Sequence, residues 1–153
     1  HDRTACRLHT RRWPNDLLVG GAKLAGLLLE REANQAVIGI GANLAATPMV
    51  AGRAVDALSA HCPAPARDAF ARDLAASLDS ELERWRSYGL EPLLRRWQAA
   101  AHPPGTALLL HDGAGAPLKG TFAGLESDGA LRLRLADGSI RAIRAGDVMI
   151  GDG

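Results

Sequence analysis

The chain has 153 residues, of which 47% are hydrophobic and 23% charged, with a formal net charge of +1. That size and apolar content support a real core, in one domain or in one incomplete domain plus a small second one. The near-zero charge gives no bulk field for nucleic acid or an anionic surface, and no apolar run approaches the roughly 20 residues of a membrane span.

Cys6 and Cys62 form neither a framework nor a C-x-x-C pair, which reads as reduced thiols in a cytoplasmic protein. The five histidines show no ligand spacing, so no metal site is assigned. No signal peptide is visible, yet His1 is no initiator, and an upstream segment is expected. Arginine is abundant, whereas Lys23 and Lys119 are the only lysines.

In chain order, Ala5 to Thr10 alternates like a half-buried strand, and Trp13-Pro14 ends it. Asn15-Asp16 are turn-formers. Leu17 to Val19, Gly20-Gly21 and Lys23 to Glu30 predict a β-hairpin with a two-residue turn. That turn sets Leu18 opposite Lys23 and puts Lys23 on the face of Asp16, within reach. A three-residue turn would flip it. Arg31 to Asn34 is a polar turn. In a third strand, Gln35 to Leu44, Val37, Gly39, Gly41 and Asn43 share one face, a bare patch ending in an amide. Thr47-Pro48 breaks this strand, and a short helix is expected over Gly52 to Ala60.

Pro63-Ala64-Pro65 precedes a helix with Phe70, Leu74, Leu78, Leu82 and Trp85 on one stripe, ending near Gly89. A second helix runs from Pro92 through Trp97, burying Leu93, Leu94 and Trp97. His102-Pro103-Pro104-Gly105 marks a boundary between residues 1–102 and 103–153. Beyond it, strands are expected over Thr106–Leu110, Leu118–Leu125, Ala130–Leu135 and Ser139–Arg144. The turn signals Asp112-Gly113, Asp128-Gly129 and Asp137-Gly138 separate them. Short, regularly spaced strands predict a small barrel.

Three ordered motifs carry a specific resemblance. Arg12-Trp13-Pro14-Asn15-Asp16, Lys23-Leu24-Ala25-Gly26 and Gly39-Ile40-Gly41-Ala42-Asn43 are similar to those of the biotin protein ligases. The likeness continues through the helix ending at Trp97. It extends into Phe122-Ala123-Gly124-Leu125, Asp128-Gly129-Ala130-Leu131 and Ala145-Gly146-Asp147-Val148. The implied fold is α+β: part of a class II synthetase-like catalytic domain, truncated at its N-terminus, with packed helices and a partial mixed or antiparallel sheet. A small SH3-like β-barrel follows. The implied activity makes biotinyl-5′-adenylate from biotin and ATP with Mg²⁺. The biotinyl group then passes to a lysine of a biotin carboxyl carrier protein or domain. A homodimer is admitted; the short apolar runs give no membrane partner, and the near-zero charge disfavours nucleic acid as a partner of this chain.

By the same resemblance Lys23 and Asp16 are the catalytic pair. A lysine ammonium at the carboxylate–phosphate junction suits the charge that develops there. Asp16 either orients Lys23 or helps to deprotonate the acceptor lysine. Arg12, Trp13, Asn15, Gly26, Gly39, Gly41 and Asn43 are the substrate- or nucleotide-binding set. Within it Asn43 reads the adenine edge by a bidentate amide pairing, and Gly39 and Gly41 give the adenylate room. Trp13 reads as a wall or core residue, Asn15 as a ligand contact or a turn residue, and Arg12 as a phosphate partner or a surface arginine.

The family's Gly-Arg-Gly-Arg-x-Gly-Arg loop, its biotin contacts and any winged helix would lie before His1, so the chain alone is expected to be inactive. Met149, Ile150 and Gly151 follow Val148 where many members have a basic residue. A competing reading is a non-catalytic binding module using Arg132, Arg134, Arg141 and Arg144 as a basic stripe. Phe122 is the tail's only aromatic, which disfavours base stacking. A lipoate ligase of similar fold fits the motifs less well.

Overall fold

A computed structural model describes residues 9–111 and 117–151. They fall into two compact units, one within His1–Thr10 and Asn15–Arg84, the other within Arg11–Pro14 and Trp85–Gly153. Among the described residues the fold is α+β, with two sheets and two α-helices.

The first sheet has the order β1-β2-β3-β4, where β1 is His9–Arg12, β2 Asp16–Val19, β3 Ala22–Glu32 and β4 Gln35–Ala42. Of the strand expected over Ala5–Thr10, His9 and Thr10 lie in β1, and the rest is outside the described residues. Gly20 and Gly21 take φ of 55° and 83°, the left-handed pair that a tight hairpin turn requires. Leu18 pairs with Lys23 and Val19 with Ala22, as the two-residue turn dictates. The register then shifts, so that Leu17 pairs with Ala25 and Asp16 with Gly26. Leu24 is therefore the extra residue of a β-bulge that alternation alone does not reveal. The β3–β4 ladder is regular and sets Gly41 opposite Gly26 and Gly39 opposite Leu28.

The helix expected over Gly52 to Ala60 is not formed; only Leu58–Ala60 makes a single 3₁₀ turn. The reason is a competing use of the backbone. Lys23 N donates to Ala54 O at 2.9 Å and Asp56 N to Lys23 O at 3.0 Å, so this segment bridges to β3 as an extended strap. Helix α1, Arg67–Tyr88, stops where expected, with Gly89 at φ 75°. Its stripe is half-buried at Phe70, Leu74, Leu78 and Leu82, while Trp85 is 50% exposed.

The second unit holds a five-stranded antiparallel sheet in the order β8-β7-β6-β5-β9. These strands are β5 (Ala107–His111), β6 (Leu118–Leu125), β7 (Leu131–Arg134), β8 (Ile140–Ile143) and β9 (Asp147–Ile150). The four expected strands are present, and β9 is additional. Asp128 and Asp137 cap their turns by accepting from Ala130 N and Ser139 N at 3.0 and 2.9 Å. The turn expected at Asp112-Gly113 lies outside the described residues. Alternation buries Leu131 and Leu133 against Leu108, Leu110, Phe122 and Val148. Each such leucine contributes about 1.5–3 kcal/mol. Helix α2, Glu91–Ala99, lays Trp97 on this core, and Gln98 Oε1 accepts from Leu125 N at 3.0 Å. Leu93, Leu94 and Trp97, expected to be buried, are half-buried.

Candidate functional site

The hairpin and the strand after it build one cleft in the first unit. Lys23 Nζ lies 2.6 Å from Asp16 Oδ1, with the lysine side chain 32% and the aspartate 9% exposed. The ion pair lies over Gly26, because a Cβ built there would stand 2.7 Å from Lys23 Nζ. Gly41 continues the bare row from Gly26 across the ladder, and Gly39 and Asn43 stand on the same face by period two. Lys23, Gly26, Gly39, Gly41 and Asn43 all line an open cleft of about 660 Å³, which Pro48, Val50, Arg53 and Val55 of the following strap also border.

Asn43 is engaged more deeply than expected. Its Nδ2 donates to Asp56 O at 2.9 Å and to Lys23 O at 3.4 Å. With both amide protons on backbone carbonyls, it clasps the strap to β3, and Oδ1 is the atom left for a ligand. A bidentate pairing that needs an N–H as well does not fit this arrangement.

Asp56 is the residue that sequence reasoning missed. Its N–H and C=O join Lys23 and Asn43, its Oδ1 accepts from Ala57 N at 2.7 Å, and its Oδ2 meets His61 Nε2 at 2.6 Å. The hydrogen bond from His61, then that from Ala57, holds its carboxyl below the ordinary aspartate value. A five-residue Asp-to-His spacing across an irregular turn carries no sequence pattern.

Other expected site residues have structural partners. Asn15 donates its side-chain amide to Leu27 O and accepts from Leu27 N at 3.1 Å through its own carbonyl, tying the turn to β3. Trp13 belongs to the second unit, 8% exposed in its core, and donates Nε1–H to Gly129 O at 3.1 Å. Arg12 also lies in the second unit, beside Trp13, Trp97 and His102. Burial, then the charge of Arg12, lowers the proton affinity of His102.

The expected basic stripe is divided. The register sets Arg132 opposite Ala142 but Arg141 opposite Leu133, hence on opposite faces. Arg132 pairs with Glu126 and Arg144 with Asp128. No helix among the described residues is long and apolar enough to cross a membrane.

Residues 108–151 match the family described as Biotin protein ligase C terminal domain. The chain is 34% identical over 152 residues to the biotin–[acetyl-CoA-carboxylase] ligase of Paracoccus denitrificans, a match covering 92% of this chain and 62% of that protein. It is 29% identical over 139 residues to the ligase of the same name from Mycobacterium tuberculosis, covering 90% and 52%. Its fold superposes on the Aquifex aeolicus biotin protein ligase in complex with biotin and ATP with a TM-score of 0.80. That likeness has 18% identity and covers 94% of this chain and 62% of that one. The chain is similar to these ligases over 90% or more of its own length, and residues 108–151 match the C-terminal domain of that family. It spans less than two thirds of the length of these relatives.

Proposed function

We propose that this chain supplies one wall of the adenylate site of an ATP-dependent biotin–protein ligase. In this reading residues 1–102 are the C-terminal part of the catalytic domain and 103–153 an SH3-like barrel. The observation that carries it is the Lys23–Asp16 contact of 2.6 Å over Gly26, in the same cleft as Gly39, Gly41 and Asn43.

In the proposed reaction a carboxylate oxygen of biotin attacks the α-phosphorus of ATP, the bond to pyrophosphate breaks, and biotinyl-5′-AMP forms. The amine of a carrier-domain lysine then attacks the acyl carbon. The bond to AMP breaks, and the amine loses a proton as the amide forms. Two negative groups converge in the first step, and the Lys23 ammonium offsets them. Asp16 fixes that ammonium, and in the second step its carboxylate would help to take the proton of the acceptor amine. The bare backbone at Gly39 and Gly41 accepts the flat base, and Asn43 Oδ1 accepts one hydrogen bond from the exocyclic amine of adenine. Among the described residues no three His, Cys, Asp or Glu side chains converge as a metal site. Mg²⁺ in this reading travels on the triphosphate, with most of its ligands phosphate and water.

The test joins the chain to the part of the Paracoccus ligase that the match leaves uncovered. The product should exchange labelled pyrophosphate into ATP in a biotin-dependent way, and Lys23→Ala should cut that exchange by at least about 100-fold. Undiminished exchange in Lys23→Ala would refute the assignment. The 153-residue chain by itself should show no exchange, since it supplies only one wall of the proposed site.

A further inference from the structure

The β2–β3 bulge and Gly26 act on one another. An unbulged ladder from the Gly20-Gly21 turn would set Ala25 opposite Asp16; the extra residue at Leu24 sets Gly26 there instead. A Cβ on residue 26 would lie 2.7 Å from Lys23 Nζ, 2.8 Å from Lys23 Cε and 3.1 Å from Asp16 Oδ1. The lysine stem therefore crosses β3 at a point where no side chain stands. Gly41 is different: a Cβ there would find only Gly26 O, at 4.0 Å.

We propose that the bulge at Leu24 and the missing side chain at Gly26 form a positioning device that lets Lys23 lie across the strand and hold its ammonium on Asp16. Gly26 is thereby a positioning residue, acting through Lys23. The geometry stands by itself; its consequence for adenylation rests on the ligase reading above. The test accordingly reads Lys23 directly and not turnover.

Because Lys23 and Lys119 are the only lysines, acylation by a water-soluble succinimidyl ester followed by peptide mass mapping compares the two within one sample. Lys119 is exposed and serves as the reference. An amine held against a carboxylate acylates more slowly than a free one. Gly26→Ala should raise the Lys23-to-Lys119 ratio roughly two- to fivefold, the range that a half-exposed ion pair supports. Asp16→Asn should raise it equally, and the double variant should add nothing more. Gly41→Ala should leave it unchanged. The blocking methyl meets mainly the end of a flexible chain, so Gly26→Ala should lower the thermal midpoint by no more than about 3 °C. A folded Gly26→Ala chain with an unchanged ratio overturns the proposal. Should the variant not fold, wild-type NMR decides. A cross-peak between Lys23 Hε and Gly26 Hα supports the device, and its absence overturns it.

Discussion

Asn43 offers the sharpest test of how this site is built. If it is a clasp, truncation should release the strap that borders the cleft. The bond to Asp56 O at 2.9 Å is of full strength and the one to Lys23 O at 3.4 Å is weaker. A net hydrogen bond contributes about 0.5–1.5 kcal/mol, so the two together give roughly 1–2 kcal/mol. That corresponds to about a 5- to 30-fold change in a local opening equilibrium. The amides that report it are Lys23 N, Asp56 N and Leu58 N, which donate to Ala54 O, Lys23 O and Asn43 O. In Asn43→Ala their hydrogen exchange should accelerate by that factor, while amides of the β6–β7 ladder should not change. Asn43→Asp should be worse, because it turns a carboxylate toward two carbonyl oxygens. Tryptophan fluorescence would miss the effect, since Trp13, Trp85 and Trp97 all belong to the second unit. Unchanged exchange in both variants would refute the clasp and return the amide protons to a ligand.

The remaining predictions concern packing and titration. Gly120→Ala should destabilise the second unit by about 1–3 kcal/mol in urea titration. Its Cβ would meet Arg134 O at 2.5 Å and Leu133 Cγ at 2.7 Å, and the backbone atom is fixed in the ladder. Asp56, Asp128 and Asp137 are all held below the ordinary value of 3.8, the first mainly by His61, the second mainly by Ala130 N–H and the third mainly by Ser139. Below that value the folded chain binds fewer protons than the unfolded one. The stabilisation is therefore complete above pH 3.8 and is lost as pH falls through the lowered values. His102 adds an earlier decline of the same sign, beginning near its ordinary 6.5. Urea midpoints measured from pH 8 downward should show both, and His102→Gln should remove the first while keeping the second.

What the sequence disclosed follows from which interactions are local. The turn at Gly20-Gly21 fixes the Leu18–Lys23 pairing, and period two then places Lys23 on the face of Asp16 without knowledge of any other contact. The row of Gly39, Gly41 and Asn43 was legible for the same reason. The bulge was not, because an extra residue in a ladder leaves no mark in the alternation of so short a strand. The strap from Ala54 to Asp56 was read as helix, since its pairing with Lys23 joins residues more than thirty positions apart. Strand β9 escaped because one buried residue in four, Val148, gives no period. Trp85 carries the right spacing for a buried stripe and still remains half exposed.

The residues of the run from Arg12 to Asp16 are held by different parts of the structure. Its five residues are contiguous, yet they serve different structures. Trp13 anchors in the second unit through its ring and its bond to Gly129 O. Asn15 is held by Leu27 through two hydrogen bonds, one made by its side chain and one by its backbone. Of Trp13, Asn15 and Asp16, only the last sends its side chain to the cleft lysine. Loss of the Trp13 ring would act through a core of leucines, and loss of the Asn15 amide through the placement of β3. The Asn15 change would reach Lys23 indirectly, by moving the strand that carries it. A loss of activity on substituting such a residue is therefore not evidence of substrate contact. Comparing the Lys23-to-Lys119 acylation ratio with stability separates the two cases, because a packing defect lowers stability first, whereas Asp16→Asn frees the amine in a folded chain.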